Sequence, residues 1–430
     1  MNPVDDTAVT IHPLAPVGLS MAVIGAGPSG LALALQAAAA LPQARITVFD
    51  ARPSDKDVSA DPRTLALSLG SVQELERMGV WTAIQARQQV APILAVHVSQ
   101  QQPTVLWPGR DQPAVSISAA EQGVAQLGAV VSYGTLVAPL QTAWTDAVAR
   151  DPVRLSMRFG APVTGLKPVA GGVEVDAGIA EQFDLAVVAE GGVFADQPTL
   201  QWPQGVSRDY AQTAWVGQVL LSEDSAVGVA YERFTPSGPA ALLPLLDGTV
   251  VPAGPRGRRA ALVWCVQRDD DPVRDLTDAQ RLVVLNTIFH EKVGKVHQVS
   301  ALKAFPLGLN AHRDLVNDGA VVRIGNAAQT LHPVAGQGLN LGFRDVHELL
   351  SALKGASLSG QVDVASALRQ FQRRRQPDRW ALIAGTDFLA RSFTWPAPIL
   401  ATARGLGLGA MQALGPLKRR LAKTMMFGLR

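Results

Sequence analysis

The sequence has one cysteine among its 430 residues. Cys265 has no partner for an intrachain disulfide, and its setting in the apolar run ALVWCV reads as a buried strand of a chain suited to a reducing cytoplasm. The seven histidines are scattered, with neither HExxH nor a Cys/His cluster, so no metal site is expected. A charge excess is also lacking. With 38 basic and 36 acidic residues the net charge is +2, too balanced for a nucleic-acid binder that draws its affinity from phosphates. Internal repeats and long low-complexity segments are absent too. What remains is an ordinary globular composition, 47% hydrophobic, long enough to bury a large core and to divide into two or three interleaved units.

From Thr7 to Ala44 there is no Lys, Arg, Asp or Glu, and the run MAVIGAGPSGLALALQAAAAL has the hydropathy of a membrane span. The glycines and the proline between Gly25 and Gly30 would break such a helix. The preceding MNPVDDTAV is acidic where a signal peptide needs a basic start, so neither a span nor a signal peptide is expected. The better reading is strand, tight turn, helix. Met21 to Ile24 is a short apolar strand, Gly25-Ala26-Gly27-Pro28-Ser29-Gly30 is GxGxxG, and LALALQAAAAL is helical in composition. ITVFD, residues 46 to 50, supplies a second strand ending in Asp50. In this arrangement Gly25 permits the turn, Gly27 lets the backbone approach a pyrophosphate at the helix N-terminus, and Gly30 lets helix and strand pack closely. Asp50 stands where a carboxylate accepts ribose hydroxyls and repels a 2′-phosphate, which favours the ADP of FAD or NAD over NADP.

A second motif, GNAAQTLHPVAGQGLNLGFRD at 325 to 345, joins an apolar strand (Val321 to Ile324) to an amphipathic helix from about Gly338. Together with the first motif it resembles the flavin aromatic hydroxylases of the para-hydroxybenzoate hydroxylase fold. Within these the chain looks most like the ubiquinone-biosynthesis hydroxylases that act on polyprenylated phenols. RTLALSLGSVQELERMGVW (63 to 81), DYAQTAWVG (209 to 217) and ERFTPSGPAALLPL (232 to 245) extend the likeness over nearly the whole chain. The resemblance implies non-covalent FAD, NAD(P)H as reductant and O2 as oxidant, with oxygen transferred from a flavin C4a-hydroperoxide to an electron-rich phenol ring. A related flavoenzyme (an epoxidase or a polyprenyl reductase) and a non-catalytic flavin-stabilised subunit are the alternatives.

Residue by residue, the likeness assigns Gly325 and Asn326 to the ribityl and pyrophosphate region, with Asn where most of the superfamily has Asp. It places His332 and Pro333 beside the isoalloxazine on the substrate side. Gly336, Gln337 and Gly338 would offer backbone N–H groups to the flavin N1/O2 edge at a helix N-terminus. Asn340 would touch the ring, and Arg63 matches the basic residue of the segment passing over the flavin. Glu190-Gly191 stands where the superfamily usually has Asp-Gly, without the following Ser or Arg. With one GxGxxG, no separate nicotinamide domain is expected, and the reductant would visit the same cleft. His332 is the ionisable residue of the flavin loop, so it either polarises the phenol or caps the loop through a backbone hydrogen bond. Glu232 and Arg233 read as a solvated ion pair.

The expected fold class is α/β: a Rossmann-type FAD-binding domain (1–85, 140–200 and 315–370) interleaved with an antiparallel-sheet substrate domain (86–139 and 201–314), then a C-terminal helical region (371–430). Helix breaks are expected at Pro377, at the Trp395-Pro396-Ala397-Pro398 turn and at Pro416. FQRRRQPDR reads as a solvated helix face. From Ile399 to Arg430 the chain has six basic residues and no acidic one, with leucines and methionines between them. That tail either lies on the inner face of a membrane, where a polyprenyl phenol resides, or packs on the FAD domain. A quinone-biosynthesis protein complex is a further candidate partner.

Overall fold

The computed structural model describes residues 18–105, 112–191, 205–247, 256–289, 291–358, 361–392 and 398–429. The leader MNPVDDTAV, the residues after Gly191 and most of the Trp395–Pro398 turn lie outside these. Among the described residues no helix is long and apolar enough to cross a membrane.

The charge-poor N-terminal run forms the strand Ser20–Ile24 and the helix Pro28–Ala40, followed by the strand Arg45–Asp50. Ser20–Ile24 is the centre of a six-stranded sheet in which Arg45–Asp50 and Leu155–Phe159 lie on one side, and Leu185–Val188, Val321–Arg323 and Val316–Asn317 on the other. All pairings are parallel except that of the two-residue edge strand. Alternate residues of the central strand feed two different cores. Met21 and Val23 pack under the helices on one face, and Ala22 and Ile24 meet Phe183 and Val175 of a three-stranded meander on the other. Burial on both faces is why this strand is apolar throughout rather than alternating.

A nine-stranded sheet forms the second layer, with Val206–Leu221 paired to Lys303–Ala311 on one side and Arg258–Gln267 on the other. Its core joins Trp215, Leu262 and Trp264 to Leu285 and Ile288 of the helix Asp278–Ile288. The sheet is antiparallel as expected but for one pair: Val229–Thr235 runs parallel to Ala95–Gln100. Arg233 does not pair with Glu232, its neighbour on the opposite face of the strand. Its Nε donates to the Ile288 carbonyl at 3.0 Å, neutralising the C-terminal end of that helix, and burial lowers its pKa.

Two boundaries differ from expectation. The strand Gly128–Ser132 pairs with Thr64–Ser68 on one side and Ala91–Ile93 on the other, apart from the large sheet, and the helix Tyr133–Arg150 packs Leu136, Leu140 and Trp144 against the Rossmann core. Residues 128–139 therefore belong with the FAD-side layer. The helix Val364–Ser392 passes through Pro377 without a break and spans the expected boundary at 370. Both Pro377 and Arg373, whose carbonyl loses its helical partner, are exposed, on the solvent side of the helix. Pro416 sits in the first turn of the helix Gly415–Phe427, where a proline costs nothing.

FQRRRQPDR is not a solvated face. Arg373 and Arg374 are exposed, but Arg375, Asp378 and Arg379 are buried. Asp345, fully buried on the helix Gly338–Gly355, receives Arg375 Nε at 2.7 Å, and Asp378 receives Arg375 Nη1 at 2.6 Å. The run carries alternating partners on the inward side of its helix, a pattern that net charge alone does not reveal.

Candidate functional site

The first motif folds into a cradle with one open wall. Gly25 has φ +106°, and a Cβ on it would stand 2.9 Å from the Ala189 carbonyl; a Cβ on Gly30 would stand 2.0 Å from the Gly25 oxygen. Both glycines are required by protein atoms. Gly27 differs: the nearest atom to its Cβ position is Tyr133 Oη at 3.9 Å, so the space it leaves faces outward, at the uncapped N-terminus of the helix Pro28–Ala40. Amides, helix dipole and the missing Cβ together suit a pyrophosphate. Arg63 lies at the same place, its guanidinium 4.1 Å over the Tyr133 ring and paired with Asp61.

Asp50 is more heavily engaged than its sequence position suggests. Its Oδ2 accepts the Ala26 N–H at 2.7 Å, and its Oδ1 accepts the Arg52 N–H at 2.8 Å and Arg52 Nε at 2.9 Å. Arg52 balances the carboxylate, so repulsion of a 2′-phosphate by Asp50 alone does not decide the nucleotide.

The second motif lands on the first. Gly325 has φ +60°, and a Cβ there would approach Ser29 Oγ to 3.0 Å; one on Gly342 would come within 2.5 Å of the same hydroxyl. Gly325 N–H donates to Asp345 Oδ2 at 3.0 Å, and its carbonyl accepts Gln329 Nε2 at 3.0 Å. Asn326 is exposed beside this turn, with its Oδ1 3.7 Å from the position of a Cβ on Gly338. The loop then turns at Pro333, whose carbonyl accepts the Gly336 N–H at 3.0 Å; Gly336 takes φ +57°, and Gln337 begins the helix Gly338–Gly355 with no side chain capping its amides.

Asn340 spends its side-chain amide on the protein. Its Oδ1 accepts Ser68 N–H at 2.7 Å and Ser71 Oγ–H at 2.8 Å, and its Nδ2 donates to the Ala66 and Gly336 carbonyls, both at 3.0 Å. All four positions are used. The residue clamps the loop to the strand Thr64–Ser68 and to Ser71 in the first turn of the helix Leu69–Arg77, whose cap is Ser68.

His332 is 1% exposed. Its Nδ1 accepts the Val334 N–H at 3.2 Å, which leaves the proton on Nε2, where it is donated to Gln212 Oε1 at 2.9 Å. Tyr210 meets the ring edge-on at 5.2 Å. Burial drives the imidazole pKa down to about 4, against a small opposing pull from Asp387. With both nitrogens committed and the ring neutral, these are the hydrogen bonds of the loop-capping alternative.

Glu190 follows the strand Leu185–Val188 at the surface, its backbone against Gly25. Partial desolvation of its carboxyl by the surrounding protein, and then the nearby Asp50, raise its pKa, with Arg323 opposing.

Comparison with known proteins fits this geometry. The FAD binding domain family matches residues 203–386. The 3-demethoxyubiquinol 3-hydroxylase of Escherichia coli is 30% identical over 414 residues, covering 94% of this chain and 97% of that protein. The chain belongs to the FAD-dependent hydroxylases of ubiquinone biosynthesis. Human ubiquinone biosynthesis monooxygenase COQ6 is 33% identical over 253 residues, about half of each chain (51% and 52%). Among solved structures, Klebsiella pneumoniae HpxO complexed with FAD and uric acid superposes with a TM-score of 0.69 at 17% identity (95% of this chain, 97% of that one). The p-nitrophenol 4-monooxygenase PnpA of Pseudomonas putida gives 0.68 at 16% (95% and 98%), so the fold is shared well beyond recognisable sequence.

As a ubiquinone-biosynthesis hydroxylase the chain uses FAD, and its residues fit that cofactor: Gly27 leaves the space and the uncapped helix supplies the donors. Sequence reasoning missed Arg52, Gln212 and Asp345. Gln212 lies within DYAQTAWVG, one of the stretches that carry the family likeness, and the adjacent Ala211 takes φ +52° at a break in strand register. Arg52 and Asp345 had no signal beyond their proximity to assigned residues.

Proposed function

We propose that this hydroxylase adds oxygen to the ring of a polyprenylated phenol, with NAD(P)H as reductant and O2 as oxidant. The observation that carries the reading is the convergence of the two glycine motifs, Gly325 and Gly342 closing on Ser29 at the first turn of the Rossmann helix, in a chain whose similarity to a ring hydroxylase runs nearly end to end. FAD, when bound, supplies the electron transfer and oxygen activation. The chain's own residues bind and shield it. Gly27 admits the pyrophosphate, Arg63 above Tyr133 covers it, and the amides after Gln337 turn the positive end of a helix toward the flavin N1/O2 edge. Asn340 and His332 hold that loop in shape from behind, through Ser68, Ala66 and Gln212. Arg323 beside Glu190 keeps a counter-charge near the carboxylate at the strand end, where the nicotinamide would approach through the same cleft.

The test is NAD(P)H oxidation by the FAD-loaded protein with a short-chain prenyl phenol under 18O2. Stimulated oxidation and a product heavier by one labelled oxygen support the reading. Reduction of the prenyl chain, or an epoxide, would replace it with a related flavoenzyme. An inert protein that retains FAD would be a non-catalytic subunit.

A further inference from the structure

We propose that the outer face of the two C-terminal helices is a docking surface for an anionic bilayer. The helix Pro398–Ala413 lies along the edge strand Ala114–Ser118 of the large sheet, and Gly415–Phe427 follows it onto the helix Leu69–Arg77. Their inner side is tied down: Gln100 Nε2 donates to the Ala401 carbonyl at 2.9 Å, Ser116 N–H donates to Gln412 Oε1 at 2.9 Å, and buried Lys418 donates to the Ser116 carbonyl at 3.2 Å and pairs with Glu121 at 3.1 Å. The outer side carries an apolar row along its length. Ile399, Ala403, Leu406, Ala410 and Ala413, spaced by three or four residues, are all exposed, and the row continues through Leu414, Leu417 and Leu421. Leu417 and Leu421 are 45% and 37% exposed, far more than packed leucines.

Charge selects the occupant. Arg419, Arg420 and Lys423 stand exposed beside these leucines, and no acidic side chain follows Asp387. Lys418 is spent internally; the other three enter no ion pair among the described residues. In a two-fold dimer the same patch would meet itself, cation against cation and without a carboxylate to answer it. An anionic lipid surface supplies the missing charge and receives the leucines at its interface, and the absence of a spanning helix among the described residues makes the attachment of these helices peripheral. This goes beyond the proposed reaction and does not depend on it.

Truncation is not the test, because Arg344 donates to the Thr424 and Met425 carbonyls and Asp378 accepts the Leu429 N–H, so the last helix is part of the fold. The FAD-loaded full chain is instead floated with vesicles of phosphatidylcholine alone or with phosphatidylglycerol added, at low and high salt. Binding is expected with phosphatidylglycerol only and is lost at high salt. The triple variant Arg419→Gln, Arg420→Gln, Lys423→Gln should bind roughly a hundredfold more weakly, and Leu417→Ser with Leu421→Ser should also weaken binding, both with unchanged FAD content. No flotation of the wild type at low salt, equal binding to both vesicle types, or equal flotation of the charge variant would overturn the proposal. So would a change of oligomeric state in the leucine variant, which would make this face a contact between copies.

Discussion

Asp345 holds Gly325: its Oδ2 accepts the glycine N–H at 3.0 Å, while its Oδ1 is fixed by Arg375 at 2.7 Å. A fully buried carboxylate thus ties the turn of the flavin loop to the helix Val364–Ser392. Through Asp378, which binds Arg375 and accepts the Leu429 N–H, the tie reaches the end of the chain. Replacing Asp345 with Ala leaves Arg375 buried with half its partners and frees the Gly325 turn. We expect a loss of about 3–5 kcal/mol in denaturant unfolding, with weaker FAD retention. A loss near zero would mean that water or Gln329 takes over the carboxylate's role.

The glycines of the first motif should separate by phenotype. Gly30→Val collides with the Gly25 carbonyl and is expected not to fold. Gly27→Val meets no protein atom closer than Tyr133 Oη, at 3.9 Å from its Cβ, so it should fold with a normal circular dichroism spectrum yet purify colourless. Full flavin content in folded Gly27→Val would move the pyrophosphate elsewhere.

Asn340→Leu should leave the ADP cradle intact and loosen the ring end. It orphans the Ser68 N–H and the Ala66 carbonyl, each worth about 1–3 kcal/mol if not rehydrated, and releases the loop from the helix Leu69–Arg77. FAD affinity is expected to fall modestly and turnover severely, as measured by flavin titration and steady-state rates. Equal loss of ADP affinity would show that the clamp supports the whole site.

Acid should destabilise the protein through buried His332 and half-buried His312. His332 and His312 both have pKa values lowered by burial to about 4, against 6.5 when free; Arg323 and Arg379 also press His312 down. Between about pH 6.5 and 4 the unfolded chain therefore binds more protons than the folded one, and stability falls as pH falls. For His332 the full loss is about 3 kcal/mol. In His332→Asn the dependence of unfolding free energy on pH should be shallower by one proton across that window, whereas the pH profile of hydroxylation above pH 6 should keep its shape. A flattened hydroxylation profile would restore His332 as the group that polarises the phenol.

Local pattern in the sequence determined the nucleotide-binding half of the site. Three glycines, an apolar strand on each side and Asp50 at the second strand's end describe the cradle because each glycine answers to backbone within a few residues or to the neighbouring strand. The helix after Gly338 and the strands around Cys265 were legible for the same reason, their periods being set by nearest neighbours. Side-chain duties were not. His332 has the same sequence neighbours whether it faces a phenol or Gln212, and Asn340 whether it touches a ring or accepts the Ser68 N–H. Pairing across the fold decides these. It also decided that Arg375, Asp378 and Arg379 are interior: charged residues in a helix show their number in the sequence, but burial depends on a carboxylate such as Asp345 arriving from another helix to offset the cost of leaving water.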